Sequence, residues 1–121
     1  DYIKKPKKFG YDALDKKILN VYRVDKKRAF IIIKYFNDMF LNLKNIYKLL
    51  KKNSFYTIVV GDCLIRNNKF ETAEYLSFLA NKIGFKQEKK FSYIIKNPYL
   101  RIPRAGKGSI IKFDRILVLK K

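Results

Sequence analysis

Histidine and tryptophan are absent from the 121-residue sequence, and cysteine occurs once, at Cys63. The absence of histidine removes the commonest metal ligand and the commonest general base in proteins. A single cysteine rules out an internal disulfide and any cysteine-rich metal centre. These absences exclude most hydrolase mechanisms, and we expect no metal site in this chain.

Long uninterrupted hydrophobic runs are also lacking. The most apolar stretch, residues 29–50, contains Lys34, Asn37, Asp38 and Lys44, and these polar side chains are too many for a bilayer span. No secretory leader pattern opens the chain. We therefore expect no membrane partner and a cytoplasmic location.

Positive charge is in excess, because 29 Lys and Arg face only 10 Asp and Glu, which gives a formal net charge of +19. Charge of that sign favours polyanionic partners, and DNA or RNA is the first candidate. The alternative is a lysine-rich surface that reflects AT-rich coding bias. A hydrophobic content of 48% with 16% aromatics argues for a folded domain rather than disorder.

The spacing of apolar residues predicts three helices. A short helix is expected near residues 12–20. A long amphipathic helix should begin after Asp25 as its N-cap and end near Asn53, whose side chain suits a left-handed backbone. A third helix should be capped by Thr72 and end at Gly84.

Three segments read as strands, and a polar loop is expected at residues 62–70. Residues 55–61 are apolar on both faces, which is typical of a central strand with helices on both sides and parallel neighbours. Residues 91–95 and 109–119 alternate with period two and should pair antiparallel. Because the chain supplies no parallel neighbour for the first strand, we predict an α/β sheet that is incomplete.

The connection before the last strand contains AGKGS, which raises the possibility of a phosphate-binding loop. A Walker loop needs G-x-x-x-x-G-K-S/T followed by a helix, but here the lysine precedes a glycine and a strand, so a hairpin turn is predicted. We predict that Arg101, Arg104 and Lys107 contact DNA phosphates. Solvated turn charges are the alternative.

Six short elements follow one another in a recognisable order: Leu49-Leu50-Lys51, Val60-Gly61-Asp62, Thr72, Gly84-Phe85, Ile102-Pro103-Arg104 and Ile116-Leu117-Val118-Leu119. This order resembles the C-terminal part of site-specific DNA methyltransferases, which methylate the amino group of adenine or cytosine with S-adenosylmethionine. The resemblance covers residues 26–121. It implies the C-terminal half of a Rossmann-like methyltransferase sheet, built from a helix, a buried parallel strand, a helix and an antiparallel strand pair. Residues 1–25 would be a linker or the tail of a target-recognition region.

Two motifs of that family have no counterpart here. The catalytic Asp/Asn/Ser-Pro-Pro-Tyr/Phe motif is missing, since Pro6, Pro98 and Pro103 are all single. The glycine-rich loop that holds S-adenosylmethionine is missing as well. The resemblance therefore implies part of a restriction–modification methyltransferase that is inactive alone. Its catalytic and cofactor-binding residues would lie in a missing N-terminal half or a partner subunit.

Asp62 and Arg66 follow the predicted central strand, at the edge where open α/β sheets bind ligands. We predict that Asp62 lines the target-base pocket and that Arg66 beside it contacts DNA, with a loop cap and a solvated cation as the alternatives. Cys63 should be a small buried filler. Tyr93 is expected in the core, with stacking on a base as its alternative role.

Two other functions remain open. The chain could be a free-standing basic nucleic-acid-binding module without catalysis, or a segment of an RNA methyltransferase. An exposed edge on the strand at residues 55–61 would favour part of a larger enzyme, since a stand-alone module should not leave that edge unpaired.

Overall fold

The computed structural model describes residues 5–95 and 113–121 and shows a mixed α/β fold with a small antiparallel sheet. In chain order the elements are α1 (Asp12–Val24), α2 (Lys26–Leu49), β1 (Phe55–Gly61), β2 (Cys63–Ile65), β3 (Asn68–Phe70), α3 (Thr72–Ile83), β4 (Lys86–Ile94) and β5 (Phe113–Lys120). The predicted phosphate contacts Arg101, Arg104 and Lys107 lie outside the described residues.

The three predicted helices are all present, and α1 is longer than expected because Val21 adds a buried position to its last turn. Asp25 is confirmed as the N-cap of α2, since its carboxylate accepts a hydrogen bond from the Arg28 backbone N–H at 3.1 Å. The backbone of Asn53 is left-handed, with φ of 68°, although it lies beyond Leu50, the residue that caps the helix C-terminus.

The prediction that Thr72 caps α3 is wrong. The helix begins at Thr72, the preceding Glu71 is its N-cap residue, and no side chain caps this end. Thr72 is only 5% exposed, so its side chain is packed into the fold instead of bonding the first turn. The predicted end of the helix at Gly84 is confirmed, and the Gly84 N–H donates to the carbonyls of Ala80 and Asn81.

The main sheet has the strand order β1-β5-β4, and β5 is antiparallel to both neighbours. The predicted antiparallel pairing of the last two strands is therefore confirmed. The expected parallel neighbour of β1 is not among the described residues, where β1 pairs only with the antiparallel β5. Since both outer strands oppose β5, β1 and β4 run in the same direction.

The helices lie on one face of this sheet. Ile58, Leu117 and Leu119 point into the core with the helices, and α3 packs against all three strands. On the other face, Val59 is 55% exposed. The prediction that helices cover β1 on both sides is therefore wrong for the described part of the chain, although the strand does carry apolar residues on both faces.

Residues 62–70, predicted as a loop, contain a small hairpin instead. Strands β2 and β3 pair antiparallel from Cys63↔Phe70 to Ile65↔Asn68. The turn uses left-handed backbone at Arg66 and Asn67, with φ of 48° and 65°. The sequence did not predict this hairpin, because strands of only three residues are too short to show an alternating pattern.

Candidate functional site at the carboxyl end of strand β1

Asp62 follows β1 directly, as predicted, and its carboxylate is paired within the fold. The Arg115 Nε donates to Asp62 Oδ2 at 3.2 Å, and the Asp62 side chain is 15% exposed. Arg115 lies on β5, beside Asp114, the residue that pairs with Gly61. This partly buried ion pair joins the end of the edge strand to the central strand.

A small cavity of about 230 Å³ lies beside this ion pair, between the start of α3 and strands β4 and β5. Its lining consists of Asp62, Glu71, Ala73, Glu74, Lys90, Phe91, Ser92 and Arg115. Lys90 and Glu74 form a second ion pair there. Carboxylates accept hydrogen bonds while guanidinium and ammonium groups donate them, so the cavity offers both partners to a small polar group. Its volume is below the roughly 300 Å³ of typical ligand pockets.

Arg66 belongs to a different cluster. From the β2–β3 turn, its Nε and Nη2 each lie 3.0 Å from Asp25 Oδ2 at the start of α2. The pKa of Asp25 is lowered, chiefly because its carboxylate accepts from the Arg28 backbone N–H and further because of the Arg66 guanidinium. The structure therefore pairs Arg66 with Asp25 and Asp62 with Arg115, and it does not bring the two predicted site residues into one constellation.

Replacing Asp25 with alanine should destabilise the protein by about 1 kcal/mol near neutral pH, because α2 loses its N-cap hydrogen bond. Since the folded-state pKa of Asp25 lies below its ordinary value of 3.8, the stabilisation is present above that value and is lost as pH falls through the folded-state pKa. Urea denaturation of both proteins near pH 7 and at about pH 2 measures the difference.

Asp38→Ala is the matched control, since Asp38 forms an exposed ion pair with Lys34 on the same helix. Such pairs contribute about 0.3–0.5 kcal/mol. An Asp25→Ala protein as stable as this control near neutral pH would contradict the capping role.

An apolar cavity of about 340 Å³ lies between α2 and the end of β1. Its lining includes Ile31, Tyr35, Val60 and Cys63. Cys63, predicted to be a small buried filler, is half-buried and packs against the core. Burial, with a smaller contribution from Cys63, raises the pKa of Tyr35. The cavity therefore places an apolar surface next to the outer edge of β1.

Arg115 is the site residue that sequence reasoning missed. It is 53 positions from Asp62, and no local motif links the two.

Tyr93 was expected in the core, but it is 47% exposed. Because β4 lies at the outside of the sheet, every one of its residues is exposed.

Comparisons with protein-family models, curated proteins and solved structures found no match to this chain. In the parts of the chain that the structure describes, no three His, Cys, Asp or Glu side chains form a metal-binding group. Over the same residues, no helix is long and apolar enough to cross a membrane.

Proposed function

We propose that this chain is the C-terminal part of a site-specific DNA methyltransferase and is inactive alone. The observation that carries the proposal is the outer edge of β1. Within residues 5–95 and 113–121, Phe55–Gly61 has a neighbour on one side only. This edge strand, with the sequence FYTIVVG, carries neither proline nor charge, the features with which proteins usually protect such edges.

The connectivity of the sheet also supports the proposal. Strands β1 and β4 run in the same direction and α3 connects them, as in α/β folds. Strands added parallel to β1 at its free edge would extend this unit into the Rossmann-like sheet that the resemblance implies. Asp62 would then lie at the carboxyl edge of a larger sheet, where such folds bind ligands.

The cavity beside Asp62, as the described residues form it, does not fit S-adenosylmethionine. Methyl transfer requires a positioned sulfonium and an extruded target base. The cavity beside Asp62 is small, and its carboxylates face Arg115 and Lys90. The cofactor and the catalytic motif would therefore belong to the missing half. This chain would contribute the pocket wall at Asp62 and cations for DNA, among them Arg101, Arg104 and Lys107.

Calorimetric titration of the isolated chain with S-adenosylmethionine, with and without duplex DNA, tests the proposal. We expect no heat from the cofactor in either case, and DNA binding that weakens steeply between about 50 and 200 mM salt. Clear cofactor binding would overturn the claim that the pocket lies in a missing half.

Amide hydrogen exchange separates the methyltransferase proposal from a free-standing module. In an edge strand, alternate N–H groups point away from the sheet. If the sheet is incomplete, those amides of β1 exchange rapidly, while the amides bonded to β5 are protected. Uniform protection along β1 would mean that the isolated chain already covers this edge, and would favour the stand-alone module.

A further inference from the structure

The face of the sheet opposite the helices carries two exposed aromatic rings on β4. Residues that pair across neighbouring strands share a face, so Phe91 lies on the same face as its partner Ile116 and as Val59, which also pairs with Ile116. Phe91 is 51% exposed. Tyr93, the next residue of β4 on this face, is almost equally exposed. We refer to this side of the sheet as the open face.

The two rings lie side by side on the same face of β4. Residues i and i+2 of a strand are about 7 Å apart and project in the same direction. Among the ring–ring contacts of the described residues, none involves Phe91 or Tyr93. Hydrogen bonding to the neighbouring Asp114 carboxylate raises the pKa of Tyr93 above its ordinary value. Two adjacent rings of this kind offer faces on which planar groups can stack.

Lysines precede the rings along β4 and lie on the same face. Lys89 is two positions before Phe91 on β4, and Lys86 pairs with Lys120 of β5. The ammonium of Lys120 lies 5.7 Å from the ring centroid of Phe55 on β1. Among the described residues, the open face therefore has cations at one end and two exposed rings towards the other, with the Asp114 carboxylate beside Tyr93 and Glu88 at the irregularity between Lys86 and Lys89.

We propose that Lys86, Lys89, Phe91 and Tyr93 form a binding site for single-stranded nucleic acid. Exposed aromatic side chains on a sheet stack on unpaired bases, while neighbouring lysines contact the phosphates. The net charge of +19 complements such a ligand. Duplex DNA cannot use this site in the same way, because its bases are stacked on each other.

The part of the open face formed by β1 and β5 suits a protein partner better than the part formed by β4. The aliphatic side chain of Val59 lies on the outer strand β1, and those of Ile116 and Val118 lie on the central strand β5. The rings and two of the lysines lie on β4, at the opposite edge. Strands added beside β1 would therefore leave the β4 site open, and the site does not depend on the methyltransferase proposal.

Fluorescence anisotropy of a labelled oligothymidine of about twelve nucleotides, titrated with the full chain, tests the site. We expect Phe91→Ala and Tyr93→Ala each to weaken binding about fivefold or more, because each removes a ring on which one base stacks. Lys86→Ala with Lys89→Ala should reduce the slope of log affinity against log salt by roughly 0.7 per lysine.

Tyr35→Ala is the control, since Tyr35 is a partly exposed aromatic on α2, on the helix side of the sheet and not on the open face. Affinity for a duplex should be unchanged by the two ring substitutions. Thermal unfolding of each variant checks that the fold is intact. Oligothymidine binding that is absent, or unaffected by loss of both rings, would overturn the site. Dimerisation that buries β4 and blocks the oligonucleotide would instead make this face a protein interface.

Discussion

Leu117→Ala should destabilise the protein by about 2–5 kcal/mol. Leu117 lies in the middle of the central strand β5, is fully buried and faces the helices. Truncation removes its apolar contacts and leaves a cavity that the strands on either side cannot close, because each is held in register by its backbone pairing. Urea denaturation should show a lower midpoint with an unchanged m-value.

Val118→Ala provides the matched comparison, because Val118 is the adjacent residue on the open face and is only half-buried. Its truncation should cost clearly less than that of Leu117, since water already reaches the side chain. Equal losses at the two positions would mean that the open face is covered in solution, and would contradict the one-sided core described here.

Gly84→Ala should cost about 2–4 kcal/mol, for two separate reasons. The backbone φ of Gly84 is 127°, a conformation that residues with a Cβ rarely adopt. A Cβ at this position would also lie 2.8 Å from the Tyr47 hydroxyl oxygen and 3.1 Å from Cζ. The Tyr47 ring packs edge-on against Phe85 and lies beneath the Lys121 ammonium, so it has little room to move.

Gly10→Ala separates the two contributions. Gly10 also has a positive φ, of 86°, but among the described residues the only atom that its Cβ would meet within 4 Å is the flexible Lys82 Nζ. The loss of stability caused by Gly10→Ala should therefore come from the backbone conformation alone. Combining Gly84→Ala with Tyr47→Phe should recover part of the loss, because the closest colliding atom is removed. Chemical denaturation of the wild type, the two single variants and the double variant measures both contributions. A loss at Gly84 no larger than the loss at Gly10 would show that the backbone alone is responsible.

The features that sequence reasoning predicted correctly are those with a local cause. Asp25 caps α2 through a hydrogen bond three residues away, and Gly84 ends α3 because its own backbone is left-handed. The pairing of β4 with β5 followed from alternating polarity in neighbouring segments. In each case the determining interaction lies within a few residues, or in the pattern of the segment itself.

The features that were missed depend on distant parts of the chain. Nothing near Asp62 indicates that Arg115 is its partner. The apolar pattern of β1 cannot show which face the helices cover. Arg66 was expected beside Asp62, but a hairpin of two three-residue strands turns it towards Asp25. The fold class was thus accessible from sequence in its coarse form, whereas the composition of the candidate site was not.

The position of β5 between β1 and β4 has a consequence for folding kinetics. Neither outer strand has a partner in this sheet until β5 is inserted, and β5 is the last of the described strands in chain order. The pairing between β1 and β5 is therefore of high contact order, and the entropy of closing a long loop must be paid before this pair forms. The helices can assemble early, while β1 and β4 remain unpaired and open to association with other chains until the final strand arrives.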